Sequence, residues 1–492
     1  MPGRRVIVVG AGLGGLAAAI RLAAAGADVT VLEREAVPGG RAGRVVRDGY
    51  AFDTGPTVLT MPGLLGELFA LAGEDLADHL ELTRLDPAYR AVFHDGSVLR
   101  VRGSLEALAD EVGQVCGPAE AERLQRLADH LHALYQAEFG PFIDRNFDSP
   151  LDLVRRPGPL VRLARLGGFR RMHDLVAHFL RDWRLIRLFT FQAMYAGLSP
   201  FEALGIYAVI PYMDTIAGVY FPRGGIHAVS RSLADLAGRL GVDIRVGETV
   251  EAVEVSGGRA VAVRTVGGER FWMDTVVLNP DLPVAYRDLL PPEATPRRVH
   301  RLRYSPSCVV VHLGLDRVLP DAAHHNIHFA AGYEESFSDL LAGRAQRDPS
   351  WFLTVPTRGD PDLAPPGCDV AFHLLPAPNL HGADPSWDAE RERDAAVARM
   401  EAAGYGPVGA ATVTSMTVTP RDWARVGMAA GTPFAASHRF FQTGPFRPAN
   451  VAPTVGGVVF VGSGTTPGVG VPMVLVSGRL AADRVMAMAA GG

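Results

Sequence analysis

The chain is 492 residues long, 48% hydrophobic and 21% charged, with a formal net charge of −5. That size holds two or three globular domains, the composition argues against disorder, and the weak acidity excludes a general electrostatic pull toward nucleic acid. All 48 basic residues are arginine, which excludes lysine Schiff bases, pyridoxal phosphate and Walker-type phosphate loops.

The first element is the most telling. Val6-Ile7-Val8-Val9 reads as a buried strand and runs into Gly10-Ala11-Gly12-Leu13-Gly14-Gly15, with a helical stretch from Leu16. Gly10 permits the turn, Gly12 lets a pyrophosphate approach the backbone, and Gly15 lets helix pack on strand, with the helix N-terminus facing the phosphates. A second strand over 29–32 ends in Glu33, placed for a ribose hydroxyl pair. Together these predict an adenine dinucleotide. Pro38-Gly39-Gly40-Arg41-Ala42-Gly43-Arg44 follows almost at once, where a nicotinamide domain would run into a helix. More backbone wrapped around one extended cofactor is expected instead.

Residues 104–221 are mostly helical in pattern. Tyr220-Phe221-Pro222-Arg223-Gly224-Gly225 turns sharply into a helix over 226–240 that Gly241 ends. Strands are expected over 242–246 and 249–255, and a hairpin over 259–265 and 269–278 returns to the main sheet. Residues 295–445 mix strands with Pro/Gly loops. The strand Val458-Val459-Phe460-Val461 then delivers a glycine-rich turn, with Gly462 and Gly464, to a last helix over 473–489 opened by Val471, Pro472 and Met473. Cys116, Cys308 and Cys368 are far apart and form no ligand pair or disulfide framework, as in a reducing cytosol. The fifteen histidines place no His-x-x-x-His on a clear helix, so no metal is expected. No signal peptide is expected, because glycines break the N-terminal apolar run. The longest apolar stretch, 188–213, is interrupted by Gly197, Glu202, Gly205 and two prolines and does not span a membrane.

The double glycine cluster resembles the FAD-binding fold of the amine oxidase and desaturase superfamily. The stretch Phe460-Val461-Gly462-Ser463-Gly464-Thr465-Thr466-Pro467-Gly468-Val469-Gly470-Val471-Pro472 is similar to the signature of bacterial-type phytoene desaturases. Asp53-Thr54-Gly55-Pro56-Thr57, Tyr220 to Gly225, Ala323-His324-His325, Pro361 to Pro365 and Thr443 to Pro448 match further blocks in the same order. Many members carry histidine where Thr466 stands, so no role for that histidine carries over. The resemblance implies an α/β chain: a discontinuous Rossmann-like FAD-binding domain (1–103, 222–294 and 446–492), a helical substrate and membrane-facing segment (104–221) and a mixed α+β substrate domain (295–445). It implies FAD contacts at Gly10, Ala11, Gly12, Gly14, Gly15, Glu33, Arg34, Gly40, Arg41, Thr57, Val58, Val250, Gly462, Gly464, Val471, Pro472 and Met473; Val250 rests on resemblance alone.

The implied activity is FAD-dependent dehydrogenation of phytoene stepwise toward lycopene, with quinone or oxygen as electron acceptor. Alternatives within the family are a later-step desaturase, an isomerase or an end-group oxidase. Outside it stand a prenyl-lipid carrier of the GDP dissociation inhibitor type, which binds no flavin, and a soluble amine oxidase. Desaturation removes a hydride from one carbon and a proton from its neighbour, and a carboxylate takes the proton or stabilises the developing charge. Asp182, with Arg184, is the candidate, as a lone acid between arginines ahead of Phe189-Thr190-Phe191. Its alternative is a surface carboxylate paired with Arg181 or with a residue one turn away. Nine arginines between 155 and 187 face only Asp174 and Asp182, interleaved with Leu160, Leu163, Phe169, Phe179 and Trp183. That pattern suits either an anionic bilayer surface or a solvated face. The expectation is a cytoplasmic protein held peripherally at the inner face of the cell membrane, drawing a carotenoid from lipid.

Overall fold

The computed structural model describes residues 1, 3–155, 157–382 and 387–490. Arg156 and the last two residues of the 446–492 segment lie outside the described residues. Strand β1 (Arg5–Val9) is buried at all but its first residue and leads into helix α1 (Leu13–Ala24), after which β2 (Asp28–Glu33) returns beside it. Three further strands join from distant parts of the chain: β3 (Asp243–Val246), β4 (Thr275–Leu278) and β5 (Val458–Phe460). The order is β5-β4-β1-β2-β3 and every pairing is parallel. A parallel sheet is covered on both faces, so β1, β4 and β5 read as unbroken apolar runs. The discontinuity expected from the sequence is therefore observed: both chain ends and a central stretch build one sheet.

The insert after the first segment is helical. Helix α2 (Pro118–Glu138) opens with proline at its first position, where no amide is needed, and ends at Glu138 in a wide π-type turn over Phe139–Ile143. The arginine-rich stretch that follows is not one amphipathic helix. It is broken into α3 (Pro157–Arg165), α4 (Met172–Phe179) and α5 (Trp183–Leu188). Gly167, at φ +76°, and Gly168 fold the chain back after α3; a Cβ on Gly168 would stand 2.8 Å from the Leu163 side chain. A second π-type turn, over Tyr212–Ile216, closes the insert. Helix α6 (His227–Arg239) and the C-terminal α7 (Val471–Ala490) flank α1. A Cβ on Gly478 would lie 2.6 Å from the Ala17 Cβ, so α7 packs nearly backbone to backbone on α1.

A seven-stranded sheet forms the other wall, in the order Thr412–Val418, Ser307–Leu315, Asp369–Ala377, Trp351–Thr354, His325–His328, Tyr89–Val92 and Val98–Val101. Ser307–Leu315 is buried along its whole length. Its alternate residues divide: Val309, Val311 and Leu313 pack into a core with Met400, whereas Cys308 and Val310 face a cavity. The hairpin over 89–101 belongs to this sheet, through a parallel pairing of Tyr89–Val92 with His325–His328, and not to the nucleotide unit over 1–103 in which the sequence reading put it. Its alternating burial is the same whichever sheet it joins, so local pattern carries no sign of the partner.

Candidate functional site

Three glycine segments from opposite ends of the chain converge at the carboxyl ends of β1, β2, β4 and β5, the usual ligand crevice of an open parallel sheet. Gly10 has φ +98°, and a Cβ on Gly15 would collide with the Gly10 carbonyl oxygen, so this turn admits glycine only. Gly39 donates its N–H to the Ala11 carbonyl at 2.9 Å, laying the second glycine cluster across the first. A Cβ on Gly14 would lie 3.3 Å from Gly462 Cα, which brings the C-terminal turn against the N-terminal one. Asn279, the residue after β4, sits at the junction. Its Nδ2 donates to the Val461 carbonyl at 3.3 Å, and its Oδ1 would be 2.7 Å from a Cβ on Gly12.

Charged groups around this cradle are held in place by hydrogen bonds. Glu33 is buried; its Oε2 accepts the Ala11 N–H at 2.6 Å and its Oε1 the Glu35 N–H at 2.9 Å, which fixes the carboxylate beside the first turn. Arg34 lies at the rim, donating to the Val426 carbonyl at 2.7 Å. Arg41 donates to the Pro433 carbonyl and the Ser463 hydroxyl, joining the second glycine cluster to the C-terminal one. Burial lowers the Arg41 pKa and Asp281 opposes it. Asp281 is itself raised by burial, against the N–H of Ala429 at 2.9 Å and the charge of Arg41, and its Oδ1 is buried without a partner. Arg447 is 1% exposed and donates to the Ser463 carbonyl at 2.6 Å and the Thr465 carbonyl at 2.8 Å, which clamps the C-terminal turn. Burial brings its pKa down to about 10, with Tyr207 and Asp281 pulling the other way.

One cavity of about 1050 Å³ is lined by Gly10, Gly12, Gly14, Glu33, Arg34, Gly40, Arg41, Thr57, Val58, Gly462, Gly464, Val471, Pro472 and Met473. Ala11 and Gly15 stand behind that wall. Val250 does not line it; it packs with Leu32 and Val253 in the core behind the sheet. The same cavity continues into an apolar chamber bounded by Phe191, Met194, Ile206, Val310, Ile327 and Phe372, between the helical insert and the seven-stranded sheet.

Asp182 and Arg184, the expected catalytic pair, do not line this cavity. Asp182 caps α5: its Oδ1 accepts the Arg184 backbone N–H at 2.9 Å, and its Oδ2 accepts Arg184 Nη2 at 2.7 Å. Burial raises the Asp182 pKa, but the Arg184 hydrogen bonds outweigh it and hold the carboxyl below its ordinary value. The ion pair that forms is with Arg184, two residues on, and not with Arg181 or a residue one turn away. The carboxyls that do line the chamber are Glu138 and Asp214. Neither belongs to a motif; Asp214 is an acid in an otherwise apolar stretch, whereas Glu138 ends a helix rich in other charged residues and carries no signal of its own. The family-like blocks also meet in space. Asp53 accepts the N–H groups of Ile226 at 2.6 Å and His227 at 3.2 Å, Asp360 accepts that of Gly224 at 2.6 Å, and the His324 ring lies 4.3 Å from that of Phe221.

Residues 13–486 match the family model of the flavin containing amine oxidoreductases. The chain belongs to that family. Within it, this flavin oxidoreductase is 50% identical to a phytoene dehydrogenase of Streptomyces griseus over 98% of this chain and 95% of the relative. It is 39% identical to a zeta-carotene-forming phytoene desaturase of Myxococcus xanthus over 99% of this chain and 95% of that one. These relatives place the oxidoreductase in the phytoene desaturase group. Among solved structures, an oxidoreductase from Methanosarcina mazei shares the fold at 17% identity, with a TM-score of 0.63 over 98% of this chain and 100% of that one. A putrescine oxidase bound to putrescine does so at 17% identity and TM-score 0.61, over 98% and 99%. The family's cofactor is FAD, and the residues present fit it. The cradle would be filled by a Cβ at Gly12, Glu33 is fixed beside the first turn at the end of β2, and the buried Oδ1 of Asp281 stands unpartnered at the edge. No group of three or more histidine, cysteine or acidic side chains able to hold a metal occurs among the described residues.

Proposed function

We propose that the chain is an FAD-dependent carotenoid desaturase that dehydrogenates phytoene stepwise toward lycopene. The observation that carries this reading is the continuity of the glycine cradle with the apolar chamber in one cavity. A hydrocarbon has no polar handle, so it is positioned by shape and by exclusion of water. Bound FAD supplies the two-electron oxidation, accepting a hydride from carbon. The protein's part would be to hold the dinucleotide with Glu33, Arg41 and the three glycine segments, to fix the C-terminal turn through Arg447, and to keep the chamber dry with Phe191, Met194, Ile206 and Phe372.

The chamber's outer wall favours delivery from lipid. Leu153, Leu160, Val161 and Phe169 line the cavity, and Val161 and Phe169 are exposed as well. Arg162, Arg165, Arg170 and Arg171 surround them on the exposed side and form no ion pair among the described residues. Phe440 lines the cavity and is exposed beside Phe441, which adds a second apolar lip. No helix among the described residues is long and apolar enough to cross a membrane. The reading is therefore peripheral binding at the inner face of the cell membrane, with quinone or oxygen taking the electrons. The test is anaerobic mixing of the purified yellow protein with phytoene in liposomes and no nicotinamide. The flavin absorbance bleaches, and quinone restores it. A strict requirement for nicotinamide, or bleaching by an amine and not by any carotenoid, overturns the reading.

A further inference from the structure

Glu138 and Asp214 both stand in the chamber wall and both lie at π-type turns, a backbone feature that recurs at functional sites. They differ in how they are satisfied. Asp214 is engaged: Thr215 Oγ1 donates to its Oδ1 at 2.6 Å, Gln192 Nε2 to the same oxygen at 3.4 Å, and the Tyr89 hydroxyl to its Oδ2 at 3.5 Å. Glu138 is 7% exposed, and its Oε2 is buried with no partner among the described residues. Leaving a buried carboxyl oxygen unpaired works against stability. A fold that keeps such a group in a cavity wall aims it at whatever fills the cavity.

The position of Glu138 says which end of the chamber it serves. It lines the cavity together with Tyr207, whose phenol burial pushes up, with the Glu138 charge in the same direction and a hydrogen bond from Thr443 against it. The Tyr207 hydroxyl donates to the His438 carbonyl at 2.6 Å, and the His438 ring fills the space that a Cβ on Gly468 would take. Arg447, which also acts on Tyr207, clamps Ser463 and Thr465. Glu138 therefore shares one cavity wall with Tyr207, His438 and the C-terminal glycine turn. His438 also lines the cavity and has an unpartnered Nε2. Burial pushes the His438 imidazole well down and the Glu138 carboxyl well up, so the ionised form of Glu138 is the stronger proton acceptor of the two, and the step requires that form.

We propose, resting on the desaturase reading above, that Glu138 is the base that takes the substrate's proton. The balance is simple. One carbon loses a hydride, with both electrons of its C–H bond, to the bound flavin as oxidant. The adjacent carbon loses a proton to the Glu138 carboxylate, and the electron pair of that C–H bond becomes the second bond of the new C=C. The substrate loses two hydrogens and two electrons, and Glu138 ends as a neutral acid.

The test uses the holoenzyme with Glu138→Gln, Glu138→Met and Glu138→Asp. Flavin content, phytoene binding by quenching of tryptophan fluorescence, and anaerobic bleaching are measured for each. Gln and Met keep flavin and bind phytoene with unchanged affinity, but bleach about 100-fold more slowly or worse. Asp keeps a carboxylate and recovers much of the rate. A packing role gives the reverse order, because Gln conserves volume and Asp does not. Faster bleaching by Gln than by Asp, bleaching by Gln at the native rate, or loss of flavin from both Gln and Met overturns the proposal. If native protein is not bleached by any carotenoid, the desaturase reading itself fails and takes this one with it, so the two failures are told apart by the native control.

Discussion

At Gly12 a single added carbon meets both the protein and the cofactor's path. Its Cβ would stand 2.7 Å from Asn279 Oδ1, and the rest of a valine side chain would enter the crevice that the pyrophosphate needs. Gly12→Val is expected to purify colourless; full flavin absorbance in that variant would mean that the diphosphate lies elsewhere. Asp214 makes a different prediction. Burial pushes its pKa up to about 7, outweighing its hydrogen bonds from Thr215, Gln192 and Tyr89. Between the ordinary carboxylate range and about pH 7 the folded state holds a proton that the unfolded state has released. Stability therefore falls as pH rises through that window, by about 1.4 kcal/mol per unit at most. Denaturant midpoints at pH 5.5 and 7.5 should fall for the native protein and stay closer together for Asp214→Asn. An equal fall in both places the titration on another group. The glycines of the cradle were legible in the sequence because the backbone there tolerates nothing else. Asn279 and Asp281 were not, because each acts through a partner far along the chain, Val461 and Ala429; Arg447 fell in a marked block, but its clamp on Ser463 and Thr465 shows only in the fold.

At the level of elements, periodicity proved informative about what forms and silent about where it goes. The hairpin over 89–101 alternates like any half-buried pair, and its neighbour, His325–His328, lies more than two hundred residues on. Asp182 illustrates the same limit. A lone acid among arginines predicts a local ion pair as readily as a catalytic site, and the N-terminal end of α5 takes it as a cap beside Arg184. The arginine-rich stretch is broken by Gly167 and Gly168, so its charge is presented by short helices around the chamber mouth instead of along one face. Each arginine near an anionic surface contributes about 1 kcal/mol, fading within a Debye length as salt rises. Replacing Arg162, Arg165, Arg170 and Arg171 with Gln should weaken flotation with anionic liposomes and slow turnover of liposomal phytoene. Flavin content should not change, because none of the four lines the cradle. Undiminished flotation would make this stretch an ordinary solvated face.

The whole molecule is tied together at its cofactor site. β1 and β2 come from the first segment, β3 and β4 from the middle and β5 from the end, and the cradle is made where the first and last segments touch at Gly14 and Gly462. Arg41 spans the same junction to Ser463, and α7 packs on α1 behind it. A ligand that binds only this assembled state stabilises it by mass action, by about 4 kcal/mol at a thousandfold excess over its Kd. Because a ligand in the cradle would touch both ends of the chain, its removal should loosen both ends together. Flavin-free protein is therefore expected to unfold at lower temperature, with the midpoint climbing back as FAD is added. Hydrogen exchange should accelerate in the 10–15, 39–41 and 462–473 segments in concert, leaving the seven-stranded sheet protected. Loss of protection in the N-terminal segments alone would separate the C-terminal turn from the cofactor site.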